Sequence, residues 1–287
     1  MQGGTCHLHL RGYMDSKLLS LKLDVIFKIF FTRNQDLLKS FVAAILDIPV
    51  KNIRELIVTN PELPPEKATL KEIRLDLCLK LNNQVIDIEI QVRKYHDFKD
   101  RVLFYWAKLF TSMLKSGEEY SMLKPAVAIS IVDFSLFQDI PKYQIDVVPV
   151  IKGTRKIFSD KMRIRFFELP KLARTSGKIP KQDLKYLWLS LFNAKTVKDL
   201  DMLRKTNHPE IIQACDKLQE ISEDQKLQNI QWAREKALHD YASAIGDAKR
   251  DGFKKGEKKG VNQIVAKMRK RGFTDQEIND ILNTPDD

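Results

Sequence analysis

The sequence predicts an α/β fold over about residues 20–170, followed by a helical C-terminal region. Three observations support this prediction. The stretch Ile73–Arg93 alternates apolar and polar residues with the period of two that is typical of β-strands. Segments with the apolar spacing of helices lie before and after it. The continuous apolar run Pro125–Val132 is typical of a strand that is covered on both faces.

The alternating stretch predicts a β-hairpin. Asn82-Asn83 lies at its middle, and Asn tolerates the positive φ angles of tight turns. Folding there pairs Leu81 with Gln84, so the register places Asp76 directly opposite Glu89. The predicted apolar face carries Ile73, Leu75, Leu77, Leu79, Leu81, Ile86, Ile88, Ile90 and Val92, and the predicted polar face carries Arg74, Asp76, Cys78, Lys80, Asp87, Glu89, Gln91 and Arg93.

The pair Asp76 and Glu89 predicts a metal site. Carboxylates that face each other across a ladder have Cβ atoms roughly 4.5–5.5 Å apart and repel each other. A Mg²⁺ ion resolves this conflict because it binds carboxylate oxygens at about 2.0–2.1 Å. The alternative is a solvated sheet face with scattered charges, which is common in antiparallel sheets. Asp87 lies on the same face, either as a further ligand or paired with Arg93 or Lys80.

Other segments complete the predicted α/β domain. Before the hairpin, Lys22–Phe31 and Asp36–Leu46 have helical spacing, with Asn34 as the N-cap of the second helix. After the hairpin, Asp97–Lys115 is predicted to be a helix with Gly117 as its C-cap. The remaining predicted strands are Ile53–Val58, Tyr143–Ile151 and Lys161–Leu169, and Asn60–Ala68 is predicted to be a loop.

Beyond Pro170 the sequence predicts helices and no strands. The predicted helices are Gln182–Asn193, Val197–Leu203, Glu210–Ile221, Asp224–Ile245 and Val261–Lys270. Gly252, Gly256 and Gly260 interrupt the chain between the last two and argue against one rigid amphipathic helix. Thr274-Asp-Gln-Glu277 forms a capping box that begins a last short helix. This final pair loosely resembles a helix-turn-helix, without its third helix.

The 287-residue chain carries a net charge of +11 that is distributed unevenly. Lys249–Arg271 contains ten Lys or Arg and two acidic residues, which is +8 of the total. Such a segment favours nucleic-acid binding, because the neutralisation of phosphates by Lys and Arg dominates non-specific affinity for nucleic acids. The alternative is a solubilising or oligomerising tail. We therefore predict a flexible tail over 1–19, the α/β domain over 20–170, a helical region over 171–248 and a basic tail with short helices over 249–287.

The composition excludes several classes of protein. No apolar run approaches the roughly 20 residues that span a bilayer, and the N-terminus lacks the apolar segment of a secretory signal. Cys6, Cys78 and Cys215 are few and unclustered, which indicates a reducing, cytoplasmic environment and no zinc site. His7 and His9 could chelate a metal weakly, but they lie in the predicted tail.

The predicted order of helix, strand, hairpin, helix and strand resembles the PD-(D/E)XK nuclease fold. It resembles more closely the Rpn family of recombination-promoting nucleases and transposases. The resemblance covers about residues 20–282 and depends on the order and spacing of several short motifs. These motifs are Asp24-Val-Ile-Phe27-Lys28, Leu75-Asp76, Ile88-Glu89-Ile-Gln91, Arg101…Tyr105-Trp106, Gly117…Tyr120 and the basic segment that ends K-M-R-K-R-G-F-T-D-Q-E-I.

The resemblance implies a restriction-endonuclease-like core, with a mixed central sheet flanked by helices. It further implies a DNA endonuclease that depends on Mg²⁺, with Mn²⁺ as a substitute, and a role in recombination or mobile-element activity. Asp76 and Glu89 would hold the metal, and Asp24 would project toward it from the first helix. Gln91 stands where the superfamily name has Lys. Its uncharged amide can orient the attacking water, and Gln91→Lys is expected to retain or raise the rate.

The remaining predictions concern partners. Arg101, Tyr105 and Lys108 share one stripe of the predicted helix Asp97–Lys115, where they would contact DNA, although a surface ion pair is the alternative for Lys108. DNA is the expected partner, no membrane is expected, and homo-oligomerisation is left open. The rival function is a catalytically silent DNA-binding or assembly protein that retains the fold. The repulsive pair of Asp76 and Glu89 argues against it.

Overall fold

The computed structural model describes residues 18–59, 77–172 and 183–283, together with the backbone of Glu62–Leu63 and Ile73–Arg74. The chain divides into two compact units, one that ends at Gln231 and one that begins at Trp232. The first unit contains a six-stranded mixed sheet flanked by helices. The predicted α/β architecture is therefore confirmed.

Three neighbouring strands of the sheet are parallel, and antiparallel strands flank them. β5 pairs in parallel with β6 and β6 with β8, whereas β4 and β7 are antiparallel to their neighbours. The strand order is β1-β4-β5-β6-β8-β7, and β2 pairs with β3 separately. The described strands are β1 (Leu56–Val58), β2 (Glu62–Leu63), β3 (Ile73–Arg74), β4 (Leu77–Leu81), β5 (Gln84–Gln91), β6 (Ala126–Val132), β7 (Gln144–Val147) and β8 (Met162–Glu168).

The hairpin of β4 and β5 has the predicted register wherever both strands are described. Leu81 pairs with Gln84, and Cys78 pairs with Asp87. Asn82 has a φ of 50°, the positive value that the turn requires. The last described pair joins Leu77 to Ile88. The predicted partner of Glu89, Asp76, lies outside the described residues.

The described helices follow the predicted segments, with differences at their ends. Asn34 does not cap the second helix; its side-chain amide instead donates 2.7 Å to the carbonyl of Phe30, at the end of the first helix. Gly117 is not a C-cap, because the helix before it ends at Thr111. The described helices are α1 (Asp24–Arg33), α2 (Gln35–Leu46), α3 (Phe98–Thr111), α4 (Leu184–Asn193), α5 (Val197–Arg204), α6 (Pro209–Ser222), α7 (Gln225–Lys270) and α8 (Asp275–Asn283).

The basic segment belongs to one continuous helix, α7, so the prediction of an interrupted basic tail is wrong. α7 runs through Gly252, Gly256 and Gly260 as one helix of 46 residues. A glycine in a helix costs only about 1 kcal/mol relative to alanine, and the flanking Lys, Arg, Ala and Glu residues are good helix formers. The predicted capping box at Thr274 and Glu277 is confirmed. None of the described helices is long and apolar enough to cross a membrane.

One predicted strand is shorter than expected, and one predicted loop contains a short strand. The predicted strand Tyr143–Ile151 ends at Val147, and the chain then turns back on itself, with Val150 bridged to Ile157. In the predicted loop Asn60–Ala68, the two residues of β2 pair with β3. The rest of that loop lies outside the described part of the chain.

Helices cover both faces of β5, and this arrangement positions the candidate site. On one face, α1, α2 and α4 to α6 pack with the apolar side chains of β4 and β5 in one core. On the other face, α3 places Leu109 against Cys78, Val85 and Ala126. The largest fully buried side chains of the first layer include Trp188, Phe27, Phe30, Phe31, Phe41 and Phe192.

Candidate active site

The polar face of β5 is buried beneath α3. Asp87 is 2% exposed and Glu89 is 9% exposed, and both side chains project to the same face as Cys78. The alternative of a solvated sheet face is therefore wrong for these two residues. Burying a carboxylate costs free energy unless the group is hydrogen-bonded, paired with a cation or bound to a metal. These two buried carboxylates make the polar face of β5 the candidate site.

Arg101 of α3 holds the side chain of Gln91 at the end of β5. Its Nη2 donates a hydrogen bond of 3.0 Å to Gln91 Oε1. The guanidinium carbon lies 5.3 Å, 5.8 Å and 5.6 Å from the ring centroids of Tyr95, Phe98 and Tyr105. Because its carbonyl oxygen is engaged, Gln91 presents its amide N–H groups as donors.

Tyr105 lies on the same side of α3, close to the acidic residues. Burial raises the pKa of its phenol, the nearby Arg101 lowers that pKa, and the carboxylates of Glu89 and Asp87 raise it. The phenol therefore remains protonated at neutral pH and keeps a proton that it can donate. This arrangement brings two predicted DNA-binding residues, Arg101 and Tyr105, next to the predicted catalytic ones.

A lysine and an aspartate that sequence reasoning missed join α1 to this end of the sheet. Lys22 Nζ lies 2.8 Å from Asp133 Oδ1. The backbone N–H of Asp133 donates 3.0 Å to the carbonyl of Gln91. A signal was present, since Asp133 directly follows the buried strand β6, and ligands bind beyond the carboxyl ends of parallel strands.

The structure places the other predicted site residues as follows. Asp24 is the first residue of α1 and is half-buried. It follows Lys22 closely in the chain, so α1 begins near the carboxyl end of β5. Lys108 is half-buried on α3, one turn beyond Tyr105. Asp76, the predicted metal partner of Glu89, falls outside the described residues.

The donor chemistry at this face suits a hard cation. Carboxylate oxygens, such as those of Asp87 and Glu89, are the ligands that Mg²⁺ prefers. Burial raises the pKa of the Cys78 thiol to about 11, so it offers no thiolate at neutral pH. Within the described ranges, no three His, Cys, Asp or Glu side chains form a group that could hold a metal ion. Asp76, which the sequence predicts as a metal ligand, was not part of that search because it lies outside the described residues.

Comparison with known families decides the classification. A family model for PD-(D/E)XK nuclease family transposases matches residues 21–248. The chain belongs to this family. The matched segment of the transposase-family chain begins just before α1 and contains the whole central sheet and its buried carboxylates. It ends where the basic segment Lys249–Arg271 begins. Comparisons with curated proteins and with solved structures gave no match.

Proposed function

We propose that this chain is a metal-dependent endonuclease that hydrolyses phosphodiester bonds in DNA. The observation that carries the proposal is the burial of Glu89 beside Gln91 on β5, at the positions of the predicted E-x-Q motif. Family membership supports a nuclease-like or transposase-like activity. A role in recombination or mobile-element movement is the corresponding biological proposal.

Asp76 and Glu89 would hold a Mg²⁺ or Mn²⁺ ion, with Asp24 near the same site. When bound, such an ion supplies Lewis-acid chemistry and lowers the pKa of water. The protein supplies positioning. The amide N–H groups of Gln91 are available to a water or phosphate oxygen, and Arg101 places a positive charge beside them. This charge compensates for the absence of Lys at position 91.

The rival function is a catalytically silent DNA-binding or assembly protein. The observation in its favour is Gln91 itself, because an amide is a weaker electrostatic catalyst than a lysine. The two functions differ in one measurement. Purified protein is incubated with supercoiled plasmid and Mg²⁺, Mn²⁺ or EDTA. Nicking or linearisation with either metal and none with EDTA supports the endonuclease, whereas retarded but intact plasmid under every condition supports the rival.

We expect Arg101→Ala to lower cleavage by about 10- to 100-fold, because Gln91 loses the group that orients it. The losses in single-turnover cleavage rate should not add. The double variant Gln91→Ala/Arg101→Ala should cleave no more slowly than the slower of the two single variants. Lys99→Ala, on the exposed side of α3, is the matched control and should cleave at the wild-type rate. Additive losses in the double variant would contradict the positioning role.

The contact with Arg101 also revises the expectation for Gln91→Lys. A lysine there would place a second cation beside the guanidinium, which now lies 3.0 Å from Gln91 Oε1. We therefore expect the single variant to cleave more slowly than wild type. The exchange Gln91→Lys/Arg101→Gln should recover activity, because it keeps one cation and one amide in the site. If the single variant matches wild type, the two side chains are not coupled in solution.

A further inference from the structure

An exposed β-ribbon projects between β7 and β8. The backbone N–H of Phe158 donates 2.9 Å to the carbonyl of Pro149, and that of Ile151 donates 3.0 Å to the carbonyl of Lys156. Val150 and Ile157 are bridged between these bonds. The ribbon leaves the sheet where the parallel strands β6 and β8 begin. Glu89 and Gln91 lie toward the carboxyl end of β5, so the ribbon is at the opposite end of the sheet.

The tip of the ribbon is held in one conformation. The N–H of Thr154 donates 3.0 Å to the carbonyl of Ile151, which closes a tight turn. Gly153 has a φ of 80°, as the third residue of such a turn requires. Thr154 Oγ1 donates 2.9 Å to the same carbonyl and accepts 3.1 Å from the N–H of Lys156. These hydrogen bonds stabilise the turn without a contribution from a partner.

The tip is also basic. Lys152, Arg155 and Lys156 are all exposed, and none forms an ion pair with an acidic residue in the described part of the chain. Two other cations of this unit are neutralised: Arg165 pairs with Asp146, and Lys185 pairs with Asp47. Three neighbouring cations without such neutralisation favour a polyanionic partner.

The apolar residues of the ribbon are exposed beside these charges. Phe158 is 76% exposed, and Val150 and Ile157 are 56% and 58% exposed. Two paired strands about 4.8 Å apart fit the major groove of B-DNA, which is roughly 12 Å wide and admits a two-stranded ribbon. A second copy of this basic chain would bring like charges together at the tip, which disfavours it as the occupant.

We propose that the ribbon Pro149–Phe158 is a DNA-binding element that enters the groove of duplex DNA, with its basic tip on the phosphates. The inference rests on the proposed function, because it takes DNA as the substrate. It adds a second contact on the nuclease-like unit, remote from the site of phosphodiester hydrolysis. The exposed ring of Phe158 would then contact sugars or base edges.

The test measures binding of the full-length chain to a short duplex in EDTA, so that no cleavage is needed. We expect Lys152→Ala/Arg155→Ala/Lys156→Ala to weaken binding about tenfold or more and to reduce the slope of log affinity against log salt by about 2 to 3. The matched control, Lys51→Ala/Lys198→Ala/Lys205→Ala, removes the same charge from exposed positions elsewhere and should change the slope less. Phe158→Ala should weaken binding without changing the slope.

Three results would overturn the inference: equal effects of the two triple variants, no binding by the wild-type chain, or a dimer that Phe158→Asp dissociates while DNA affinity is unchanged. Sedimentation of both proteins measures the last. Failure of the proposed function looks different. If the ribbon variants weaken DNA binding but the wild-type chain does not cleave in Mg²⁺ or Mn²⁺, the endonuclease proposal is overturned and the ribbon proposal is supported. If the wild-type chain cleaves and the two triple variants bind DNA equally well, the ribbon proposal alone is overturned.

Discussion

Replacing Glu89 with Gln is expected to lower DNA cleavage by at least about a thousandfold, which corresponds to about 4 kcal/mol in the activation barrier. The change keeps the size of the side chain and removes the charge that would bind the metal. Because Glu89 is 9% exposed and Asp87 on the same strand is 2% exposed, losing one charge also relieves repulsion within the buried face. The unfolding temperature in EDTA should therefore equal or exceed that of wild type.

Calorimetry with Mg²⁺ and calorimetric unfolding distinguish this outcome from misfolding. Glu89→Gln should show no Mg²⁺ binding and an intact unfolding transition, and Asp76→Asn should behave in the same way if it shares the ion. Glu223→Gln, at the exposed end of α6, is the matched control and should bind and cleave like wild type. Wild-type cleavage and Mg²⁺ affinity in Glu89→Gln would remove Glu89 from the site.

The hairpin could be predicted from the sequence because two local signals agreed. Strict alternation determines which side chains share a face, and the Asn82-Asn83 turn determines the register. Counting from that turn correctly gives the pairing of Cys78 with Asp87. The same count places Glu89 and Gln91 on one face, as the strand has them. Strand β6 could be predicted for a related reason, since its continuous apolar run requires cover on both sides.

The environment of that face could not be predicted, because it depends on contacts between segments far apart in sequence. Alternation alone indicates one solvated face, and only the packing of α3 shows that Asp87 and Glu89 are buried. The hydrogen bond from Arg101 to Gln91 likewise depends on how the helix is placed over the sheet. Periodicity places Arg101 in a stripe, where phosphate contact is the natural interpretation of an isolated cation.

The continuity of α7 could not be predicted from the sequence, for a different reason. Single glycines predict helix ends only when a competing turn is more stable, and none of the three glycines in α7 has a positive φ angle. The continuous helix changes the distribution of charge. Lys255, Lys258 and Lys259 lie on one face, because positions three and four apart are neighbours on a helix, and Asn262 and Gln263 extend that face. The basic segment is thus an ordered basic surface.

Deleting the residues after Ala248 is expected to reduce affinity for duplex DNA by about a thousandfold or more at 0.2 M salt, and to flatten the salt slope by several units. Each phosphate neutralised contributes about 0.9 to that slope, and the deletion removes the ten cations of Lys249–Arg271. The deletion leaves Leu227 and Gln231, the buried residues of α7, in place. Glu89 and Gln91 are also retained, so the single-turnover rate at saturating DNA should change little.

A substitution on the continuous helix separates charge from helix length. Lys255→Gln/Lys258→Gln/Lys259→Gln should reduce the salt slope by about 2 to 3, because the three side chains share one face. The charge-matched control Lys51→Gln/Lys198→Gln/Lys205→Gln should have a smaller effect. If the deletion changes the sedimentation coefficient from that of an oligomer to that of a monomer while the slope stays constant, the segment is an oligomerisation element. Loss of the single-turnover rate at saturating DNA would instead place part of the catalytic machinery in α7, since weaker binding alone cannot lower a rate measured at saturation.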